Sequence, residues 1–282
     1  SEELQLRDLQ VFTELEEIIV EENCYVAWDL MGNGDYDFRN LSNLKRISIQ
    51  NKSVSYIKDA FEKPEVIEKL EASIFSEEDI EILTQFKGIK SFIFSLGSKD
   101  IVKNLDFLTV FTKLEEAKFY FGDDSWDLSP IAALTGLKRL SISGNEKLKG
   151  ISVLYGMPKL EELKLKNLPQ IKDLGFVNSM PNLFMLSLEC CGVDDISAVR
   201  DNFVIQELEF INCNKLYDVS AISGVQNLKK LAFKTYNNNL IGESLSNLKL
   251  LDEVLIDSQL LGILEGNTAI SKLSVDISGE KF

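Results

Sequence analysis

Residues 137–142 read Leu137-Lys138-Arg139-Leu140-Ser141-Ile142: apolar, two others, apolar, one other, apolar. The same phrase returns as Leu160-Glu-Glu-Leu163-Lys-Leu165, Leu183-Phe-Met-Leu186-Ser-Leu188, Ile205-Gln-Glu-Leu208-Glu-Phe210 and Leu228-Lys-Lys-Leu231-Ala-Phe233. The starts at 137, 160, 183, 205 and 228 are 23, 23, 22 and 23 residues apart. Self-similarity at such a fixed step is the signature of a stacked repeat. The alternation at its end is a short strand with two side chains on one face. One strand per step, each parallel to the last, needs a crossover, and the rest of the unit supplies it.

The phrase extends upstream to Leu15, Leu44, Ile67, Ile89 and Leu114, and downstream to Leu251 and Ile270, which makes twelve candidate units. The 29-residue step from Leu15 to Leu44 carries an insertion near 29–40, where Met31-Gly-Asn-Gly-Asp35 reads as a turn. Leu6–Glu17 echoes Leu105–Glu116, so the chain is expected to begin mid-repeat. A second phrase recurs in the crossovers: Asp127-Leu-Ser-Pro-Ile131, Asp195-Ile-Ser-Ala-Val199 and Asp218-Val-Ser-Ala-Ile222. Its Asp or Ser can cap a short helical turn, and apolar residues such as Ile131 and Leu134 then close the core. One unit cannot bury its own apolar face, whereas a stack buries a continuous one.

Composition excludes several function classes. Hydrophobic residues make up 45% of the 282 and charged ones 27%, as in a folded globular chain. No apolar run reaches the ~18 residues of a membrane span. With 45 acidic and 30 basic side chains the net charge is −15, which disfavours nucleic acid and suits a basic protein partner. There is no histidine, so the commonest general base and all histidine-ligated metal sites are absent. Neighbouring acids such as Glu115-Glu116 and Glu161-Glu162 point to opposite sides of a strand and cannot face each other across a glycosidase cleft. No phosphate-cradling glycine motif or calcium loop occurs. The reading is non-enzymatic, with no catalytic residue, metal or cofactor. The sequons at Asn40 and Asn51 are too short a pattern to carry weight.

The unit from Leu137 fits LxxLxLxxN/CxxL throughout, with Asn145 in the polar slot and Leu148 after it; Cys191 and Cys213 fill that slot in their units. On these residues the chain resembles the leucine-rich-repeat proteins, and its D-I-S-x-I phrase with a 22–23-residue step is similar to the bacterial internalin class and to the regulatory subunit of eukaryotic phosphatase-1. The resemblance implies an α/β class fold: one curved solenoid, or horseshoe, over residues 1–282, with a parallel concave β-sheet and short helical or 3-10 convex segments. It implies a protein-binding role rather than a particular partner.

In that fold the third, fifth and seventh positions of the phrase face the concave side. The third column runs from Glu17, Arg46 and Lys69 to Lys230, Glu253 and Lys272 with signs alternating over much of it. It is either a self-paired solvated ladder or a mixed-charge surface selecting a charged partner. Apolar members of these columns are Ile93, Tyr120, Met185, Ile211 and Leu255, joined by the charged Glu189 and Glu209. Phe121 follows Tyr120 at the strand end, and Trp126 lies beyond it in an acidic loop; both either extend a partner-binding patch or tuck into the core. Tyr236–Asn239 is a polar loop.

The thiols Cys191 and Cys213 are expected packed and inert, and Cys190 on the concave side. Unpaired cysteines, Cys24 among them, fit a reducing cytoplasmic compartment; a secreted or cell-surface location with a removed signal is the alternative. Three roles follow: a partner-binding module, an immunity protein against a toxin, or a structural repeat segment of a larger surface protein. The last strand shows no evident cap, so its edge is open to a second copy or to further sequence.

Overall fold

A computed structural model of the chain describes residues 11–20, 38–96, 102–235 and 240–276. The insertion near 29–40 falls largely outside the described residues, as do Cys24 and the Tyr236–Asn239 loop. Two compact units divide the chain, Ser1–Leu137 and Lys138–Phe282.

The first unit carries β1 (Glu17–Val20), β2 (Arg46–Ser53), β3 (Lys69–Ile74), β4 (Ser91–Leu96) and β5 (Glu116–Tyr120). The second carries β6 (Arg139–Ser143), β7 (Glu162–Lys166), β8 (Met185–Glu189), β9 (Glu207–Ile211), β10 (Lys230–Lys234), β11 (Glu253–Asp257) and β12 (Lys272–Asp276). Every strand opens on the third residue of its phrase, including those at Ile67 and Ile89. Within each unit the strand order follows the sequence and the pairs are parallel. Third residues sit opposite third residues, as in Glu162↔Met185 and Met185↔Glu207. The fold is an open, parallel leucine-rich-repeat solenoid.

The register has a backbone cause. The amides of the phrase's second and third residues both donate to the second-residue carbonyl one repeat earlier, as Glu161 and Glu162 do to Lys138 at 2.8 and 3.0 Å. Nearly the same pair of bonds recurs at Glu16, Lys45, Phe184, Gln206 and Lys229. This fork starts each strand at the same height. In β2 to β11 the fourth and sixth residues then point inward and are buried, such as Leu140 with Ile142 and Leu163 with Leu165.

Most crossovers are 3-10 turns, with Ser129–Ala133, Gly175–Ser179 and Ser220–Gly224 as examples. A 3-10 helix has three residues per turn, so apolar residues three apart line one edge. Leu128, Ile131, Leu134 and Leu137 do so: each of the last three donates its amide to the carbonyl three residues back, and all four are buried. The chain thus descends to the next phrase on a period-three apolar edge.

The recurring Asp acts one residue earlier than a helix cap. Asp127, Asp195 and Asp218 each accept the amide of the serine two residues on, at 2.9, 2.7 and 2.8 Å. The residue between them, Leu128, Ile196 or Val219, is the cap and bonds nothing through its side chain. This is an Asx turn, which competes well with regular structure at such positions.

The crossover from β3 to β4 differs. Among the described residues it holds the one α-helix, α1 (Glu77–Leu83), started by a reciprocal capping box of Ser76 and Asp79. Asp79 is buried and also collects Ser53 Oγ, the Ser55 amide at 3.1 Å and the Phe75 amide at 2.7 Å. One carboxylate therefore ties α1 to the end of β2, where the β2–β3 register shifts between Ser48 and Ser53.

Candidate functional site

The sheet face that carries the third, fifth and seventh positions is the candidate binding surface. In the first unit, Ile93 of β4 lies opposite Glu71 and Lys118, and Ser95 lies opposite Ser73 and Tyr120. Tyr120 is 47% exposed. Glu71, Ser73, Ile93, Ser95 and Tyr120 line one shallow recess, with small serines as its floor and Ile93 and Tyr120 as its apolar walls. Ser48 Oγ donates to Glu71 at 2.6 Å and holds that carboxylate at the rim.

In the second unit a comparable recess runs over β9 to β12, lined by Glu207, Glu209, Lys230, Ala232, Glu253 and Leu255 among others. Leu255 forms its apolar spot in register with Ala232. Ile211 stands one position further along the strands, opposite Glu189 and Lys234. Glu189 is paired with Lys166 at 2.9 Å, whereas Glu209 stands half-buried in the fifth column.

Two of the residues weighed as patch or core belong to the core. Phe121 is 6% exposed and Trp126 1%, so both are core. They end an aromatic chain in which Phe94 meets Phe119 at 4.7 Å, Phe119 meets Phe121 at 6.1 Å and Phe121 meets Trp126 at 6.2 Å between ring centroids. The signal was present in the sequence: Ala117, Phe119 and Phe121 keep the period of two that turns every second side chain inward. Met185 stays on the sheet face, in register between Glu162 and Glu207, but is only 7% exposed and offers a partner little area.

The charged third column is largely self-paired. Arg46 meets Glu17 at 3.4 Å, and Lys230 meets Glu207 at 3.7 Å and Glu253 at 3.6 Å. Lys272 also pairs with Glu253. The hydrogen bond from Lys272 holds the Glu253 carboxyl below the usual carboxylate range and holds Lys272 above the usual lysine value. In the second unit this column has three bases, Arg139, Lys230 and Lys272, against three acids, Glu162, Glu207 and Glu253. The acidity of the chain therefore does not lie along it.

The slot after the strand holds thiols rather than asparagine in two repeats. Cys191 Sγ lies 3.4 Å from the Leu165 carbonyl, and Cys213 Sγ 3.5 Å from that of Leu188. Burial pushes the Cys191 thiol up to about 12 and Cys213 to about 11, so neither is a nucleophile near neutrality. Cys190 is half-buried and unpaired, with φ 53°, in the position that Asn167 and Asn212 occupy with φ 57° and 54°. Among the described residues no group of His, Cys, Asp and Glu could hold a metal ion, and no helix is long and apolar enough to cross a membrane.

No family model and no curated protein matches the sequence. Solved structures do resemble the fold. An internalin of Listeria monocytogenes aligns over 98% of this chain and 90% of its own, with TM-score 0.55 and 15% identity. A chain of the mouse RP105/MD-1 complex aligns over 85% and 48%, with TM-score 0.54 and 13% identity. A leucine-rich-repeat protein of Leptospira interrogans aligns over 68% and 50%, with TM-score 0.53 and 15% identity. With the phrase, the step and the parallel sheet, these likenesses define the fold: it is that of leucine-rich-repeat proteins. Most of its repeats step by 22 or 23 residues, and the fold they build is similar to that of the internalin.

Proposed function

We propose that the chain is a non-catalytic interaction module that holds a protein partner on the open face of its sheet. The observation that carries this reading is the recess of the first unit, where an exposed tyrosine and an isoleucine stand beside serines on the sheet face. A solvated sheet face gains nothing from an exposed Tyr120, whereas interfaces favour tyrosine as an anchor. Leu255, in register with Ala232, supplies a similar apolar element in the second unit. Rigidity is the mechanism: side chains fixed on hydrogen-bonded strands lose little freedom on docking. The similar solved proteins support the class, one of them having been solved as the complex of RP105 with MD-1.

Affinity capture from the native source, followed by direct titration of the captured protein, tests this. Ile93→Ala/Tyr120→Ala should weaken binding at least about tenfold, the order for an aromatic anchor. Circular dichroism should show both proteins equally folded. A partner that binds wild type and variant alike would place the interface on the loops and overturn the reading.

A further inference from the structure

The fifth column of the second unit alternates small and long side chains from strand to strand. Ser141, Lys164, Ser187, Glu209, Ala232 and Leu255 stand in register on β6 to β11. Every other strand contributes a serine or an alanine. Lys164, Glu209 and Leu255 therefore rise as a basic, an acidic and an apolar tooth, with a gap between each and the next. Adjacent strands lie about 4.8 Å apart, which sets the teeth about 10 Å from one another. The two charged teeth are also left over from the pairing beside them. Lys166 meets Glu189 at 2.9 Å and Lys230 meets Glu207 at 3.7 Å. Lys164 is exposed and Glu209 half-buried, and neither has an ion-pair partner among the described residues.

That interval selects the backbone of what docks. Residues seven apart on an α-helix are displaced by about 10.5 Å along the axis and by only about 20° around it. Same-face residues of a strand recur at about 7 or 13 Å, which misses the teeth. A polyproline II segment repeats every three residues, about 9.3 Å, but turns its intervening side chains away from the gaps. An α-helix fills them, because residues three and four positions on lie on the same face. Resting on the sheet-face reading above, we infer that the partner segment is an α-helix laid across β7 to β11. It sets an acid over Lys164, a base over Glu209 seven residues along, and an apolar residue over Leu255 seven further. The side chains between these contacts enter the gaps at Ser187 and Ala232. With the apolar residue seated on Leu255, exchanging the acid and the base would set like charge on like charge at both teeth. The column thus selects the order of charges in its partner and not a net charge.

Fluorescence anisotropy on the full chain tests this with two labelled helical peptides of about 20 residues, each stiffened by a lactam bridge on its outer face. The matched peptide carries Glu, Arg and Leu at positions seven apart, and the exchanged peptide carries Arg, Glu and Leu. Both are offered in either chain direction, since the spacing does not set the direction of the helix. Their composition and net charge are the same, so the −15 of the chain acts on them alike. Wild type should bind the matched peptide at least about tenfold more tightly than the exchanged one. Lys164→Glu/Glu209→Lys should invert that preference, which a misfolded variant could not do. A wild type that binds neither peptide or both alike, or a preference that the double variant leaves unchanged, would overturn the inference. A proline placed mid-helix should abolish binding; full binding by that peptide would overturn the helix in favour of an extended segment. Failure of the peptides beside a captured partner that is lost on Ile93→Ala/Tyr120→Ala would remove the helix and leave the sheet-face reading standing.

Discussion

Trp126 shows how a single residue records both the strength and the cost of this core. Its ring is buried against Phe121, and its Nε1 finds no acceptor among the described residues. A buried donor without a partner costs roughly 1–3 kcal/mol, while the ring area contributes more than that. Trp126→Ala should therefore lose about 3–5 kcal/mol in urea unfolding. Trp126→Phe should lose far less, because the smaller ring gives up area but also removes the unpaired donor. Equal losses for the two variants would mean that the indole nitrogen is satisfied. Cys191 and Cys213 illustrate the opposite case: a small side chain with one weak donor fills a tight slot and reaches a carbonyl.

At the level of the element, two devices replace the standard repeat. In the first unit the eighth position of the phrase is inward and apolar, at Ile74, Leu96 and Phe121, and β3 and β4 run on to include it. In the second unit the same position turns left-handed at Asn167, Cys190 and Asn212, and the strand stops before it. Asparagine tolerates that conformation better than most residues, so Cys190→Asn should leave stability unchanged or raise it slightly, and Cys190→Val should lower it. The other device is Asp79. Asp79→Ala strips the end of β2 and the start of α1 of their shared acceptor and leaves buried amides unpaired. A loss of about 3 kcal/mol or more is expected in denaturant titration. Protection of the Phe75 and Ser76 amides from hydrogen exchange should fall with it.

The Asx turns set an acid limit on the element. Serine amide and hydroxyl bonds hold the Asp195 and Asp218 carboxyls below the usual aspartate range, led by the backbone bond at Asp195 and the side-chain bond at Asp218. A folded-state value below the unfolded one means that the contribution is complete above the ordinary aspartate value, near 3.9, and is lost as pH falls through the lower folded value. The urea midpoint should thus drop on going from pH 5 towards 3. Asp195→Asn/Asp218→Asn keeps the acceptors without the titration, so that drop should be smaller in the double variant. An unchanged acid limb would rule these two turns out as its cause.

For the molecule as a whole, charge is divided by location. The chain carries −15, but the third column of the second unit pairs equal numbers of acids and bases. Surface pairs of this kind are worth little each, about 0–1 kcal/mol; their effect is to leave that part of the sheet face without a strong field. A partner docking there should bind with an association rate that changes only a few-fold between low and physiological salt. A rate falling steeply with salt would direct attention to the acidic loops, where Asp123, Asp124, Asp194 and Asp195 lie.

Periodicity by itself marked one strand per phrase, because the repeated phrase is read locally: alternation makes the strand and the regular step makes the next one stack; the register of the strands around 67–114 came from the structure. The recurring Asp-x-Ser phrase marked a short helical turn in the crossovers, while the period-three apolar edge and the cap one residue after the Asp came from the structure. What tertiary structure decided was which side chains remain available. Phe121 kept the inward period of Ala117 and Phe119, but Trp126, an aromatic residue beside acids beyond the strand, follows no alternation, and only its packing against Phe121 makes it core. Met185 holds a face position but is closed off in place. Asp79 gathers donors from β2 and from its own turn, segments more than twenty residues apart, which no local pattern announces. Burial is a property of neighbours in space; a repeat specifies where its neighbours stand, but not how far each side chain fills the room they leave.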